Sequence, residues 1–281
     1  MPQTALDFIT AEVLLACDLL DGVADSLIEN PLLCNFNIST LVCGATSLTN
    51  STNCLTPSQV AGAEAIYAGP TSTNGTLIYP GFSYGSEVEW LPEEGLLADA
   101  FAIPILQNLV YDDLNYNSST FSFDTDVDDV DEQAGSKIDE ISPDLTAFRN
   151  RGSKLLVTQG WSDAYNAATW PIIHKSQIES FMAAEKGAIK TDISDFFNLF
   201  MIPGGGHCGA ATGKIYQNVP ATYDTTSVLM KWVERGEKPA EMLSTNPPDK
   251  SDRSRKLCPW PQIAKYVGGN VDWWGSYVCE F

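Results

Sequence analysis

The 281-residue chain is 44% hydrophobic and only 19% charged, a balance that supports a sizeable packed core and excludes an intrinsically disordered protein. Its formal net charge of −20 excludes a basic surface for nucleic acid or anionic membranes, and it suits solubility in an acidic, extracellular setting. No apolar run reaches the roughly 18 residues of a membrane span.

In chain order, residues 4–16 are predicted to be helical, with Thr10 a candidate N-cap for the Ala11–Leu15 turn. A stretch rich in Asn, Ser, Thr, Gly and Pro follows over 17–140 and has the character of an insertion or lid. Within it a helix is predicted from Pro57 to Tyr67, with Thr56 as N-cap and Pro57 at the first helical position, and a second from Leu96 to Tyr111. The run Asp124–Asp129 looks like an EF-hand loop at first. However, Asp129 stands where that loop needs glycine and Gly135 where it needs glutamate, so a solvated strand or loop is expected. From about residue 144 the character changes. A short helix over Asp144–Asn150 precedes an apolar strand over 154–159, continuous as in a parallel sheet. Loop 160–163, a helix over 168–186, a second strand over 196–202 and a helix from Tyr223 to Arg235 follow, the last closed by Gly236. That order is the last third of a doubly wound α/β domain.

The seven cysteines group as Cys17 with Cys34, Cys43 with Cys54 and Cys258 with Cys279, each across a short segment. None has the CxxC spacing of a zinc site, so short-range disulfides are expected and with them an oxidising compartment. The odd count leaves one thiol unpartnered, expected to be Cys208. Sequons at Asn37, Asn50, Asn74 and Asn117 agree with secretion. The first residues carry neither a basic n-region nor an apolar h-region, so the true start of such a chain is expected to lie elsewhere.

Three constellations carry chemistry. Asp163 and His207 both follow the carboxyl ends of predicted parallel strands, where loops converge on one crevice. His207 sits in Pro203-Gly-Gly-Gly-His-Cys-Gly209. Either the two form an acid–base pair, with the carboxylate fixing the imidazole tautomer, or Asp163 caps a helix and His207 is an ordinary loop histidine. His174, mid-helix, reads as structural. Gly81-Phe82-Ser83-Tyr84-Gly85 matches the Gly-x-Ser-x-Gly nucleophile turn, but Pro80 ends the preceding strand and Pro92 interrupts the following helix, so a turn or lid loop is expected. Asp18, Asp21 and Asp25 around Gly22 read either as a Ca²⁺-binding turn or as a solvated acidic one.

Taken together, Cys17-Asp-Leu-Leu-Asp-Gly-Val-Ala-Asp25, Cys54-Leu-Thr-Pro57, Ile66-Tyr-Ala-Gly-Pro70, Tyr79-Pro-Gly-Phe82, Gly160-Trp-Ser-Asp163, Gly206-His-Cys208 and Leu257-Cys-Pro-Trp-Pro261 through Cys279 resemble the tannase/feruloyl esterase family along nearly the whole chain. The resemblance implies an incomplete, C-terminal part of an α/β-hydrolase with a large disulfide-rich lid: residues 1–16 end the first part of the hydrolase domain, 17–140 form the lid and 141–281 resume the hydrolase domain. It implies hydrolysis of phenolic-acid esters, feruloyl or galloyl, small or polysaccharide-linked, by a serine mechanism with Asp163 as acid and His207 as base. It also implies a lid calcium held by Asp18, Asp21 and Asp25 with the carbonyls of Val23 and Leu27. In the family the cysteine beside the histidine is bridged to one beside the nucleophilic serine. That Cys-Ser segment would precede residue 1, so this chain is expected to be inactive alone, with Cys208 unpartnered. A non-catalytic secreted calcium-binding remnant, and less readily an esterase using Ser83, are the alternatives.

Overall fold

The computed structural model describes residues 1–44, 53–91, 95–184, 187–211 and 213–281. The sequon at Asn50 lies outside these described residues.

Helix Gln3–Cys17 buries Leu6, Ile9, Val13 and Leu14 in a core shared with Leu41, Leu55, Val60 and Trp90. Thr10 lies inside this helix, not at its start: its hydroxyl is 3.1 Å from the Leu6 carbonyl and 3.0 Å from Glu87 Oε2. A mid-helix hydroxyl bonds back one turn in this way, so the sequence cue for a cap is here a tertiary contact. Helix Pro57–Ala68 begins as expected, with a full capping box: the Gln59 N–H donates to Thr56 Oγ1 and the Thr56 N–H to Gln59 Oε1. The segment 96–110 is helical, but wide π-type turns over Ala98–Ala102 and Leu106–Val110 flank Ile103–Ile105, where Pro104 has no N–H to give. The acidic run departs from expectation. Asp126–Val130 forms a helical turn, and Asp126, Asp128 and Asp129 lie in its first turn, where carboxylates suit the helix amino end. Disulfides join Cys17 to Cys34, Cys43 to Cys54 and Cys258 to Cys279, and Cys208 is free and exposed.

Strands β1 (Leu155–Gly160) and β2 (Phe197–Ile202) pair in parallel from Leu155↔Phe197 to Gly160↔Ile202. Every residue of β2 is buried, which is why its run reads as apolar but for Asn198, whose amide donates to the Pro239 carbonyl. Helix Trp170–Ala184 connects them and packs Ile178 and Met182 with Phe196, Phe197, Leu199 and Met201. On the other side of β2 the Trp260 N–H donates to the Leu199 carbonyl. Strands β3 (Gly205–Gly206) and β4 (Gly209–Ala210) form a hairpin just past β2. Three strands, β5 (Thr222–Tyr223), β6 (Met242–Thr245) and β7 (Arg255–Leu257), make a small antiparallel sheet, and β8 (Ile263–Tyr266) pairs with β9 (Tyr277–Glu280). Their two to four residues are too short for a periodic signal in the sequence. Helix Thr225–Arg235 is N-capped by Asp224 and ends on Gly236 in the left-handed region.

Candidate active site

Asp163 and His207 are brought together by the meeting of three glycines. The Cα of Gly160, at the end of β1, packs directly on the β3 backbone: a Cβ there would lie 2.2 Å from the Gly205 carbonyl oxygen. The two loops are also stitched together, with the Trp161 N–H donating to the Ile202 carbonyl and the Ser162 N–H to the Gly205 carbonyl. Gly206 and Gly209 then leave His207 and Cys208 as the two residues at the hairpin tip, Cys208 with φ +55°.

The outcome is a contact of 3.1 Å between His207 Nδ1 and Asp163 Oδ2. The Asp163 side chain is 5% exposed and that of His207 is 40% exposed. Asp163 is fixed on all sides. Its Oδ1 accepts the Tyr165 and Asn166 N–H groups at 2.9 and 3.1 Å, and its Oδ2 accepts Gln159 Nε2 at 3.0 Å. The Asn166 amide also lies 3.4 Å from His207 Nδ1, farther than the carboxylate, so the charge-assisted contact to Asp163 sets the proton on Nδ1. Tyr165 packs against the imidazole with ring centroids 4.9 Å apart. His207 borders a cleft of about 670 Å³, walled by Leu97, Ala98 and Phe101.

The strand-end positions left open whether Asp163 and His207 meet; the structure brings them into contact. Gln159, Tyr165 and Asn166 were not legible in the sequence, since a polar residue in a strand and two on a turn carry no signal of their own. His174 is part of helix Trp170–Ala184, stacked on Trp170 with Nε2 near the Ser142 carbonyl. Ser83 is buried, its Oγ has no hydrogen-bond partner, and it borders a separate cleft with Pro80 and Thr169. Among the described residues no serine hydroxyl bonds the His207 ring. The glycines of the Ser83 motif answer to packing: a Cβ on Gly81 would lie 2.1 Å from the Tyr67 carbonyl oxygen, and Gly85 has φ +89°.

The acidic turn is a second polar centre. Asp18 accepts the N–H groups of Asp25, Ser26 and Leu27 at 3.0–3.2 Å. Asp21 accepts the Val23 N–H at 3.2 Å and Arg255 Nη2 at 2.6 Å. Asp25 Oδ2 accepts both Arg253 and Arg255, and Glu29 accepts Arg255 and the Ala264 N–H. Burial pushes the Glu29 carboxyl up to about 7, against the pull of Arg255, and raises Asp21 for the same reason. The donor types suit a hard cation, and Asp25 Oδ1 is buried with no hydrogen-bond partner. Yet among the described residues no three His, Cys, Asp or Glu side chains are grouped so as to hold a metal ion, and Arg253 and Arg255 pair with Asp21 and Asp25.

Comparison with known proteins gives the family and the fold. The family model "Tannase and feruloyl esterase" matches residues 1–280. The chain is 30% identical to a protein of Aspergillus niger named probable feruloyl esterase B, over 97% of this chain and 55% of that protein. Feruloyl esterase B of Aspergillus oryzae has the same fold over 99% of this chain and 57% of its own, with a TM-score of 0.80 at 24% identity. Tannin acyl hydrolase of Aspergillus niger gives 0.77 at 22% identity over 100% of this chain and 54% of its own. The chain thus spans about half the length of the curated relatives it matches, and by the family match along its length it belongs to the tannase and feruloyl esterase family.

Proposed function

We propose that this chain supplies the acid and base of a serine-type carboxylic ester hydrolase acting on phenolic-acid esters, feruloyl or galloyl. The observation that carries the reading is the 3.1 Å contact between His207 Nδ1 and a buried, fully hydrogen-bonded Asp163 at the ends of two parallel strands. Asp163 holds the Nδ1 proton and stabilises the imidazolium. Nε2 takes the proton of an attacking serine and returns it to the leaving alcohol. Ser83 borders a different cleft from His207; the resemblance to the family implies instead a nucleophilic serine beside a cysteine that would bridge the free Cys208, in a segment other than these residues. Without it the chain alone should hydrolyse esters weakly or not at all. On this reading residues 17–140 are a lid on an α/β-hydrolase domain, and the disulfides and sequons fit a secreted enzyme.

The acidic turn is proposed to take a structural Ca²⁺ through the carboxylates of Asp18, Asp21 and Asp25 and the carbonyls of Val23 and Leu27. The unused Asp25 Oδ1 supports this. When bound, the ion would fix the turn and would take no part in the proton transfers.

The function is tested on the natural full-length protein with methyl ferulate and methyl gallate. Hydrolysis abolished by His207→Ala is expected. Hydrolysis undiminished by that change, or no hydrolysis of either ester, would overturn the reading.

A further inference from the structure

Residues 83–90 form a segment unusual for carrying two carboxylates, Glu87 and Glu89, where almost everything is buried. Glu87 is fully buried and accepts three donors: Tyr67 Oη at 2.6 Å, the Gly85 N–H at 2.9 Å and the Thr10 hydroxyl at 3.0 Å. Burial raises its carboxyl above the ordinary range. These contacts pin Gly85 in place. The Gly85 carbonyl then accepts two hydroxyls from the other side, Ser162 Oγ at 3.1 Å and Tyr216 Oη at 2.5 Å. Ser162 is the residue before Asp163. Two residues beyond Glu87, Glu89 Oε1 accepts the Gly213 N–H at 2.5 Å, six residues after His207. Gly213 also lies flat on Val88, where a Cβ would come within 2.6 Å of Cγ2. Val88, Ala211, Tyr216, Val219 and Leu27 close the space between these bonds as one apolar cluster.

One buried stretch therefore touches both loops of the pair, the acid loop through Gly85 and the base loop through Glu89. Neither glutamate is among the residues lining the His207 cleft, so neither is placed to meet substrate. Glu87, fully buried and held by hydrogen bonds from Tyr67, Gly85 and Thr10, costs desolvation that an apolar side chain would not, which points to a purpose other than stability. We propose that Gly85, Glu87 and Glu89 form a brace that sets the separation of Asp163 and His207, with Glu89, Ser162 and Tyr216 as positioning residues for the acid–base pair. The catalytic meaning of the brace rests on the function proposed above; its geometric effect does not.

The test reads the His207 ring directly. In this chain, labelled with ¹⁵N-histidine, the Nδ1 proton facing Asp163 is expected to give a signal protected from exchange in the folded protein. Glu89→Ala and Ser162→Ala are expected to weaken or remove that signal at temperatures where circular dichroism shows both variants folded. Glu89→Gln, which keeps an acceptor for the Gly213 N–H, is expected to restore it. In the full-length protein the same changes should lower kcat about 10- to 100-fold with KM little altered. A signal unchanged in Glu89→Ala and Ser162→Ala, with only a lowered unfolding midpoint, would reduce the brace to packing and overturn the proposal. Should Glu89→Ala fail to fold, Ser162→Ala and Tyr216→Phe, each removing one hydroxyl, decide it by the same signal. If the full-length protein cleaves no phenolic ester, the esterase reading fails while the ring signal still judges the brace.

Discussion

Gly160 and Gly205 touch backbone to backbone, so close that a Cβ on Gly160 would lie 2.2 Å from the Gly205 carbonyl oxygen. This contact between the end of β1 and the start of β3 lets a three-residue step from Gly160 to Asp163 meet the hairpin tip at His207.

Gly160→Ala should therefore push the two loops apart, since the obstacle is rigid backbone. A loss of about 3 kcal/mol is expected in denaturant unfolding. Gly62, inside helix Pro57–Ala68, is the control: a Cβ there meets nothing within 4 Å. Gly62→Ala should stabilise the protein by about 0.5–1 kcal/mol. Equal effects of the two changes would contradict the packing described.

The parts of this site that could be read in the sequence are those with a one-dimensional signature. The run Phe197–Ile202 is apolar apart from Asn198 because it is buried on both faces, and His207 follows it on glycines. The capping box at Thr56 and Gln59 is local by nature. Glu87 and Glu89 were illegible, because a buried acid looks like a surface one until its partners arrive from Thr10, Tyr67 and Gly213. Arg255 is fully buried against Asp21, Asp25 and Glu29, more than 220 residues away in the chain, and no window of sequence holds that relation. Thr10 shows the reverse error, a local cap motif spent on a tertiary bond.

Stability should depend on pH in a direction set by the buried acids. Glu29 moves from an ordinary 4.5 up to about 7, chiefly through burial, and Glu87 is raised for the same cause. A group that binds its proton more tightly when folded stabilises the fold fully below its unfolded value and loses that contribution as pH rises through its folded value. The unfolding midpoint should thus fall between pH 5 and pH 8. The surface aspartates with lowered values, such as Asp126 and Asp144, act only below this window. Glu29→Gln should remove on the order of 3 kcal/mol of the pH dependence. A midpoint that rises from pH 5 to pH 8, or a slope unchanged by Glu29→Gln, would contradict this.

Calcium should bind at the acidic turn if Asp25 Oδ1 is an unfilled ligand position. Adding Ca²⁺ after chelation should raise the midpoint with concentration, by about 2.7 kcal/mol in stability at 100 times the dissociation constant. Asp25→Asn should abolish the response. A midpoint indifferent to Ca²⁺ and to chelator would show that Arg253 and Arg255 satisfy these carboxylates by themselves.

Asp163 is proposed to fix the tautomer of His207, and ¹⁵N chemical shifts of the His207 ring read that tautomer directly. A proton should reside on Nδ1, facing Asp163 Oδ2, and Asp163→Asn should disturb that arrangement. A ring carrying its proton on Nε2 alone in the unaltered chain, or one indifferent to Asp163→Asn, would show that Asp163 does not hold the Nδ1 proton.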